Sequence, residues 1–152
     1  MDKYKELHDR EDLQKDFLKF VKHAWPSFIA GNHHKIFAEK LERVARGELK
    51  RLIVNMPPRH TKSEFASYLF PAWVMGQQPE TKIIQATHTA ELAVGFGRKV
   101  KNLLDSEIYR DVFPGMELAR DAKASGRWST NEGGEYYAVG VGGALAGRGA
   151  DL

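Results

Sequence analysis

The chain has 152 residues, enough for one compact domain or part of a larger one. Its 42% hydrophobic and 28% charged content is ordinary for a globular protein, and the absence of cysteine excludes both a disulfide framework and a thiolate metal site. A net charge of +3 permits nucleic-acid binding without arguing for it, and no stretch reaches the ~18 apolar residues of a membrane span. The mixed-charge start, Met1-Asp2-Lys3-Tyr4-Lys5-Glu6, is unlike a secretory signal.

From the N-terminus, Leu13, Phe17, Phe20, Val21 and Ala24 fall on one stripe of a helix over residues 9–25, which Pro26 ends. After a turn at Gly31-Asn32, a second helix is predicted from about His34 to Ala45, with Ile36, Phe37, Leu41 and Val44 inward and Gly47 just past its end. The pattern then changes. Leu52-Ile53-Val54 is a continuous apolar run that reads as a buried strand. Asn55 to Thr61 is a loop holding two prolines, and Lys62 to about Met75 a further helix with Leu69, Phe70 and Trp73 in the core.

Lys82 to Thr87, with Ile83-Ile84, reads as another buried strand, and Thr89 can cap the helix that follows, striped by Leu92, Phe96, Val100, Leu103 and Leu104. Strand, helix, strand, helix implies a parallel sheet with crossover helices. Residues 105–126 look irregular, with a turn at Pro114-Gly115. Arg127 to Thr130 and Glu135 to Val141 alternate as two strands, with Tyr136 and Tyr137 facing opposite ways, joined through Asn131-Glu132-Gly133-Gly134 as a hairpin. The chain closes on a glycine-rich loop from Gly140 that enters a possible strand, and it reads as truncated. The expected organisation is a helical region over 1–47 and an α/β core over 48–152.

Met56-Pro57-Pro58-Arg59-His60-Thr61-Lys62-Ser63 follows the first predicted strand and opens a helix, the context that the phosphate-loop pattern G-x-x-x-x-G-K-[ST] requires. Backbone N–H groups of such a loop converge on phosphate oxygens, and the helix dipole favours negative charge there. Lys62 adds a cation at the β- and γ-phosphates of ATP, and the hydroxyl of Ser63 can ligate Mg²⁺. Met56 and Thr61 stand where the two glycines belong. A β-branched threonine adopts positive φ only at a cost, so the loop must use another geometry or accept strain. The plainer alternative is a proline-rich connection before a helix, although Lys is not the favoured charge in a first turn.

The run Arg51 to Glu64 closely resembles the variant Walker A segment of tailed-phage large terminase subunits, where Pro-Pro-Arg-His, a variable residue and Lys-Ser are common. Phe70-Pro71-Ala72-Trp73, Phe96-Gly97-Arg98-Lys99-Val100, Gly126-Arg127-Trp128, Gly140-Val141-Gly142-Gly143 and Gly147-Arg148-Gly149-Ala150-Asp151-Leu152 resemble later segments of that family in the same order. The similarity spans roughly residue 30 to the end.

It implies an α/β fold with a P-loop NTPase-type parallel sheet and flanking helices, preceded by N-terminal helices and cut before the Walker B acidic pair. The implied function is ATP hydrolysis, with Mg²⁺, that drives double-stranded DNA into a procapsid. The portal protein and small terminase subunit would be partners, the docked motor a ring homo-oligomer, and the setting the host cytoplasm rather than a membrane. The nuclease domain of the family lies outside this sequence, and the piece alone is expected to be inactive. Another P-loop DNA-dependent ATPase or helicase, or an inactive prophage remnant, are the rival readings.

The same resemblance makes Arg148 an arginine finger, the alternative being a loop arginine on a carboxylate such as Asp151. It also places His33 at the adenine, although paired histidines at a helix start also serve as capping or surface residues. Arg59 reads equally as a phosphate contact or a loop-stabilising surface residue; His60 and Thr61, inside the phosphate loop, are candidate nucleotide contacts, with loop geometry the competing role of His60. Glu64 reads as a first-turn helix residue. Arg98, Lys99 and Lys101 could face DNA, or form a solvated helix face. The six histidines show no zinc spacing.

Overall fold

A computed structural model describes residues 2–122 and 124–152, and the chain forms two compact units, Met1–Trp73 and Val74–Leu152. Among the described residues it is a mixed α/β protein with a three-stranded sheet.

The first unit is helical. The expected helix over 9–25 is two helices, α1 (Asp2–Lys15) and α2 (Phe17–Ala24), because Asp16 takes an extended conformation and its carboxylate accepts the Lys19 N–H at 2.8 Å. An aspartate in that position caps a new helix rather than continuing the old one. The apolar stripe survives the break, and Phe17, Phe20 and Val21 are fully buried. In α3 (Asn32–Ala45) the inward stripe is His34, Phe37, Ala38 and Leu41, whereas Ile36, expected inward, is 60% exposed. Glu42 of α3 accepts the Phe17 N–H at 2.8 Å, supplying a partner to an amide at the start of α2 that has none within its own helix.

Leu52-Ile53-Val54 does not form the expected buried strand. It joins no ladder among the described residues, and Ile53 is 87% exposed. Strand composition alone does not make a strand; the backbone groups also need a ladder partner.

The helix after it begins at Lys62, widens into a π-helical segment over Glu64–Leu69, and tightens again as α4 (Phe70–Gln77). Pro71 lacks an N–H, and its ring would meet the Ser67 carbonyl in a regular α-helix; the wider turn just before it relieves that conflict. The π segment aims Phe65 into the core, where its ring lies 5.6 Å from Phe17, 5.4 Å from Phe28, 5.3 Å from His34 and 5.6 Å from Phe37. Leu69, Phe70 and Trp73 are buried as expected.

The second unit holds β1 (Lys82–Thr87), α5 (Ala90–Leu104), α6 (Glu107–Val112), β2 (Arg127–Ser129) and β3 (Glu135–Gly140). β1 and β3 are parallel and β2 is antiparallel to β3, in the order β1-β3-β2. The sheet is therefore mixed, not wholly parallel, because the β2–β3 hairpin reverses the chain within it. Thr89 caps α5 by accepting the Leu92 N–H at 3.2 Å. Val100, Leu103 and Leu104 are buried along α5, while Leu92, expected on the same stripe, is 51% exposed.

α6 occupies part of the stretch expected to be irregular, started by Ser106, whose hydroxyl accepts the Tyr109 N–H at 3.3 Å. Trp128 stacks on Tyr136 at 4.9 Å and donates from Nε1 to the Gly97 carbonyl at 3.2 Å. Asp151 and Leu152 run along the edge of β1 not taken by β3. The Leu152 carbonyl accepts the Ile84 N–H at 2.9 Å and the Asp151 N–H donates to the Lys82 carbonyl at 2.8 Å. No helix among the described residues is long and apolar enough to cross a membrane.

Candidate functional site

The loop of residues 56–63 has the most demanding backbone in the first unit. Arg59 and Thr61 both have φ of 62°, and they are the only non-glycine residues with positive φ among those described. For a β-branched side chain that conformation is an outlier. Thr61 stands where the phosphate-loop pattern has its second glycine, so the loop accepts the strain and keeps the left-handed turn. The Thr61 carbonyl then accepts the Phe65 N–H at 2.9 Å, which starts the helix.

Lys62 and Ser63 are the first helical residues. Their amides have no carbonyl one turn behind them, and the positive end of the helix dipole lies with them. Lys62 folds back so that Nζ donates to the Met56 carbonyl at 3.4 Å, laying its charge across the mouth of the loop. Ser63, Arg59 and His60 are exposed.

Three histidines gather at this loop, and their hydrogen bonds fix two of the tautomers. His34 Nδ1 accepts the Gly31 N–H at 2.9 Å, so the ring proton is on Nε2, which donates to Thr61 Oγ1 at 2.7 Å. The Thr61 hydroxyl in turn donates to the His60 carbonyl at 2.6 Å. His60 Nδ1 donates to the Pro58 carbonyl at 2.9 Å. His34 is buried, and its pKa is lowered by desolvation first and then by His33 and His60. All three causes favour the neutral ring that the bonds require.

His33, which the resemblance places at the adenine, is an exposed ring 3.8 Å from His34 and 6.2 Å from His60. The histidine bonded to the loop is His34. The spacing of His34, Phe37, Ala38 and Leu41 on one helical face was the signal for it.

Arg148 belongs to the second unit. Its guanidinium lies 4.1 Å over the Tyr137 ring, beside a cavity of about 250 Å³ that Lys82, Arg127 and Glu135 also line. The Asp151 carboxylate accepts the Lys82 N–H at 2.9 Å. Of the basic run on α5, Arg98 reaches Ser125 Oγ and Lys101 the Ala124 carbonyl, each at 3.5 Å, and Lys99 lies 5.9 Å over Phe96. Among the described residues no group of three His, Asp or Glu side chains is placed to hold a metal ion. The Ser63 hydroxyl, which the phosphate-loop pattern assigns to Mg²⁺, is exposed at the start of the helix.

No family model, curated protein or solved structure matches the chain.

Proposed function

We propose that the 56–63 loop holds the phosphates of ATP and that the chain carries the front of an ATPase site of the large-terminase kind. The observation that carries this reading is Thr61. A threonine kept left-handed at the glycine position, directly before Lys62 and Ser63 at a helix start, keeps the backbone that a phosphate needs in spite of its cost.

In this reading the amides of the loop and first turn orient the phosphates, and Lys62 neutralises the β- and γ-oxygens. Ser63 would hold Mg²⁺; one hydroxyl suits a cation that takes its other ligands from phosphate and water, and the ion would offset charge on the transferring group. Arg148 would stabilise that charge in the assembled ring, leaving the cation–π seat it takes here on Tyr137. Double-stranded DNA as cargo, with the portal protein and small terminase subunit as partners, follows from the resemblance of the ordered segments.

Titration calorimetry of the whole chain with MgATP tests the reading. Binding is expected, and Lys62→Ala should weaken it by about tenfold or more, the loss of a charge-assisted phosphate contact. Equal affinity in wild type and Lys62→Ala would show that the loop is not the phosphate site.

A further inference from the structure

We propose that His34 is a positioning residue for the phosphate loop, holding Thr61 in the left-handed conformation that a glycine would adopt unaided. The inference rests on the phosphate reading of the loop and adds to it the device that sets the loop's shape.

The argument starts from the cost. Thr61 has a Cβ branch and a φ of 62°, so its conformation persists only if its surroundings over-determine it. The His34 ring is 6% exposed and is gripped on several sides. Phe28 packs edge-on at 4.8 Å, Phe65 lies at 5.3 Å and His33 at 3.8 Å. Its Nδ1 is tied to the Gly31 amide in its own helix cap, so the ring cannot rotate without losing that bond.

Nε2–H is therefore a fixed donor, and it points at Thr61 Oγ1. The threonine hydroxyl uses that proton and passes its own to the His60 carbonyl one residue back. A threonine held through both its acceptor and its donor functions is pinned relative to the peptide that precedes it. A glycine would need no such tether and a valine could not use it. The histidine and the threonine make sense as a pair.

A pair of this kind predicts non-additivity. MgATP affinity and thermal unfolding would be measured on the whole chain for wild type, His34→Leu, Thr61→Gly and the double variant, with His34→Gln as the conservative rescue. His34→Leu should weaken MgATP binding about tenfold and lower the unfolding midpoint by about 4 °C where Thr61 is present, the scale of one strong neighbour coupling. In the Thr61→Gly background the same substitution should leave MgATP affinity nearly unchanged. The Gly31 bond is lost in both backgrounds, so the difference between them isolates the tether to Thr61. His34→Gln, whose amide offers both a donor and an acceptor, should recover affinity that the leucine loses.

Equal losses from His34→Leu in the two backgrounds would overturn the proposal. If MgATP binds, depends on Lys62, and yet His34 and Thr61 act additively, the tether is wrong and the phosphate reading stands. If unfolding shows the coupling while no variant, wild type included, binds MgATP, the tether is upheld and the phosphate reading fails.

Discussion

Two tight connections in this protein meet the same backbone demand in opposite ways. Between β2 and β3 the chain turns through Asn131 to Gly134, and the left-handed position is filled by Gly133, with φ of +87° and nothing within 4 Å of a hypothetical Cβ. Residue type and conformation agree there, so the turn needs little help. Between Met56 and Ser63 the left-handed positions are filled by Arg59 and Thr61, neither of which suits them. That loop is instead set by its surroundings: two prolines fix φ on its approach, His34 holds Thr61, and Phe65 anchors the helix behind it. Strain of this kind persists only where the surrounding structure over-determines the backbone.

The largest effect that would sharpen this contrast comes from the anchor. Phe65→Ala removes a fully buried ring with four aromatic neighbours in the first unit. It should destabilise the protein by about 3–5 kcal/mol in chemical unfolding. A change under ~1 kcal/mol would mean that the aromatic cluster is not what supports the loop. The same substitution should weaken MgATP binding beyond its effect on the folded fraction, because the ring backs the helix whose first turn contains Lys62 and Ser63.

Much of this was legible in the sequence where a local pattern is sufficient. Thr89 as a cap, the stripe of Val100, Leu103 and Leu104, the strand Lys82–Thr87 and the hairpin of residues 127–141 are all local signals, and the structure has each, the two hairpin strands ending one residue early at Ser129 and Gly140. What failed needed partners the pattern does not name. Leu52-Ile53-Val54 has strand composition but joins no ladder among the described residues, and the break at Asp16 lies inside a stripe that stays in phase across it. α6 went unread although Ser106 is a usual cap, because six residues are too few for periodicity to emerge. At the site, the pattern supplied Lys62 and Ser63, and it flagged Thr61 as anomalous. His33 was named by the family resemblance, and the pattern alone did not single out its neighbour His34, whose ring is bonded to Thr61. One residue on a helix turns a side chain by about 100°, enough to exchange an exposed ring for a buried one.

Exchanging the residue types of the two connections gives a smaller effect and a cleaner break of the comparison. Gly133→Ala places a Cβ on a left-handed residue in open space, so only the backbone term acts. It should destabilise by about 1 kcal/mol, the left-handed penalty of ~1–2 kcal/mol less the entropy that alanine removes from the unfolded chain. Arg59→Gly is the reverse. Relief of a similar penalty is offset by roughly 0.5–1 kcal/mol of glycine backbone entropy, so the variant should be neutral to slightly stabilising in urea titration. If Arg59→Gly instead costs more than Gly133→Ala, the arginine side chain is tethering the loop, and the strain at residue 59 is compensated locally as it is at Thr61.

The smallest effect is a pH dependence, and its sign discriminates between two pictures of the loop. The His34 pKa is lowered from its ordinary 6.5 by burial and by the neighbouring His33 and His60, and its Nδ1 is already an acceptor for the Gly31 N–H. Well above 6.5 neither the folded nor the unfolded chain carries a proton on this ring, and its contribution to stability is whole. As the pH falls through 6.5 the unfolded chain takes up a proton that the folded one still refuses, so stability drops until the lower folded value is passed and is flat beneath it. His34→Gln lacks this component while the other five histidines of the chain are unchanged. The unfolding midpoint of wild type should therefore fall relative to His34→Gln on acidification below 6.5, by an amount of the order of a degree. A wild type that gained on the variant instead would require a ring that takes up a proton on folding. It would then donate from both nitrogens, the Gly31 bond could not exist, and Thr61 would be held by a charged histidine rather than a neutral one.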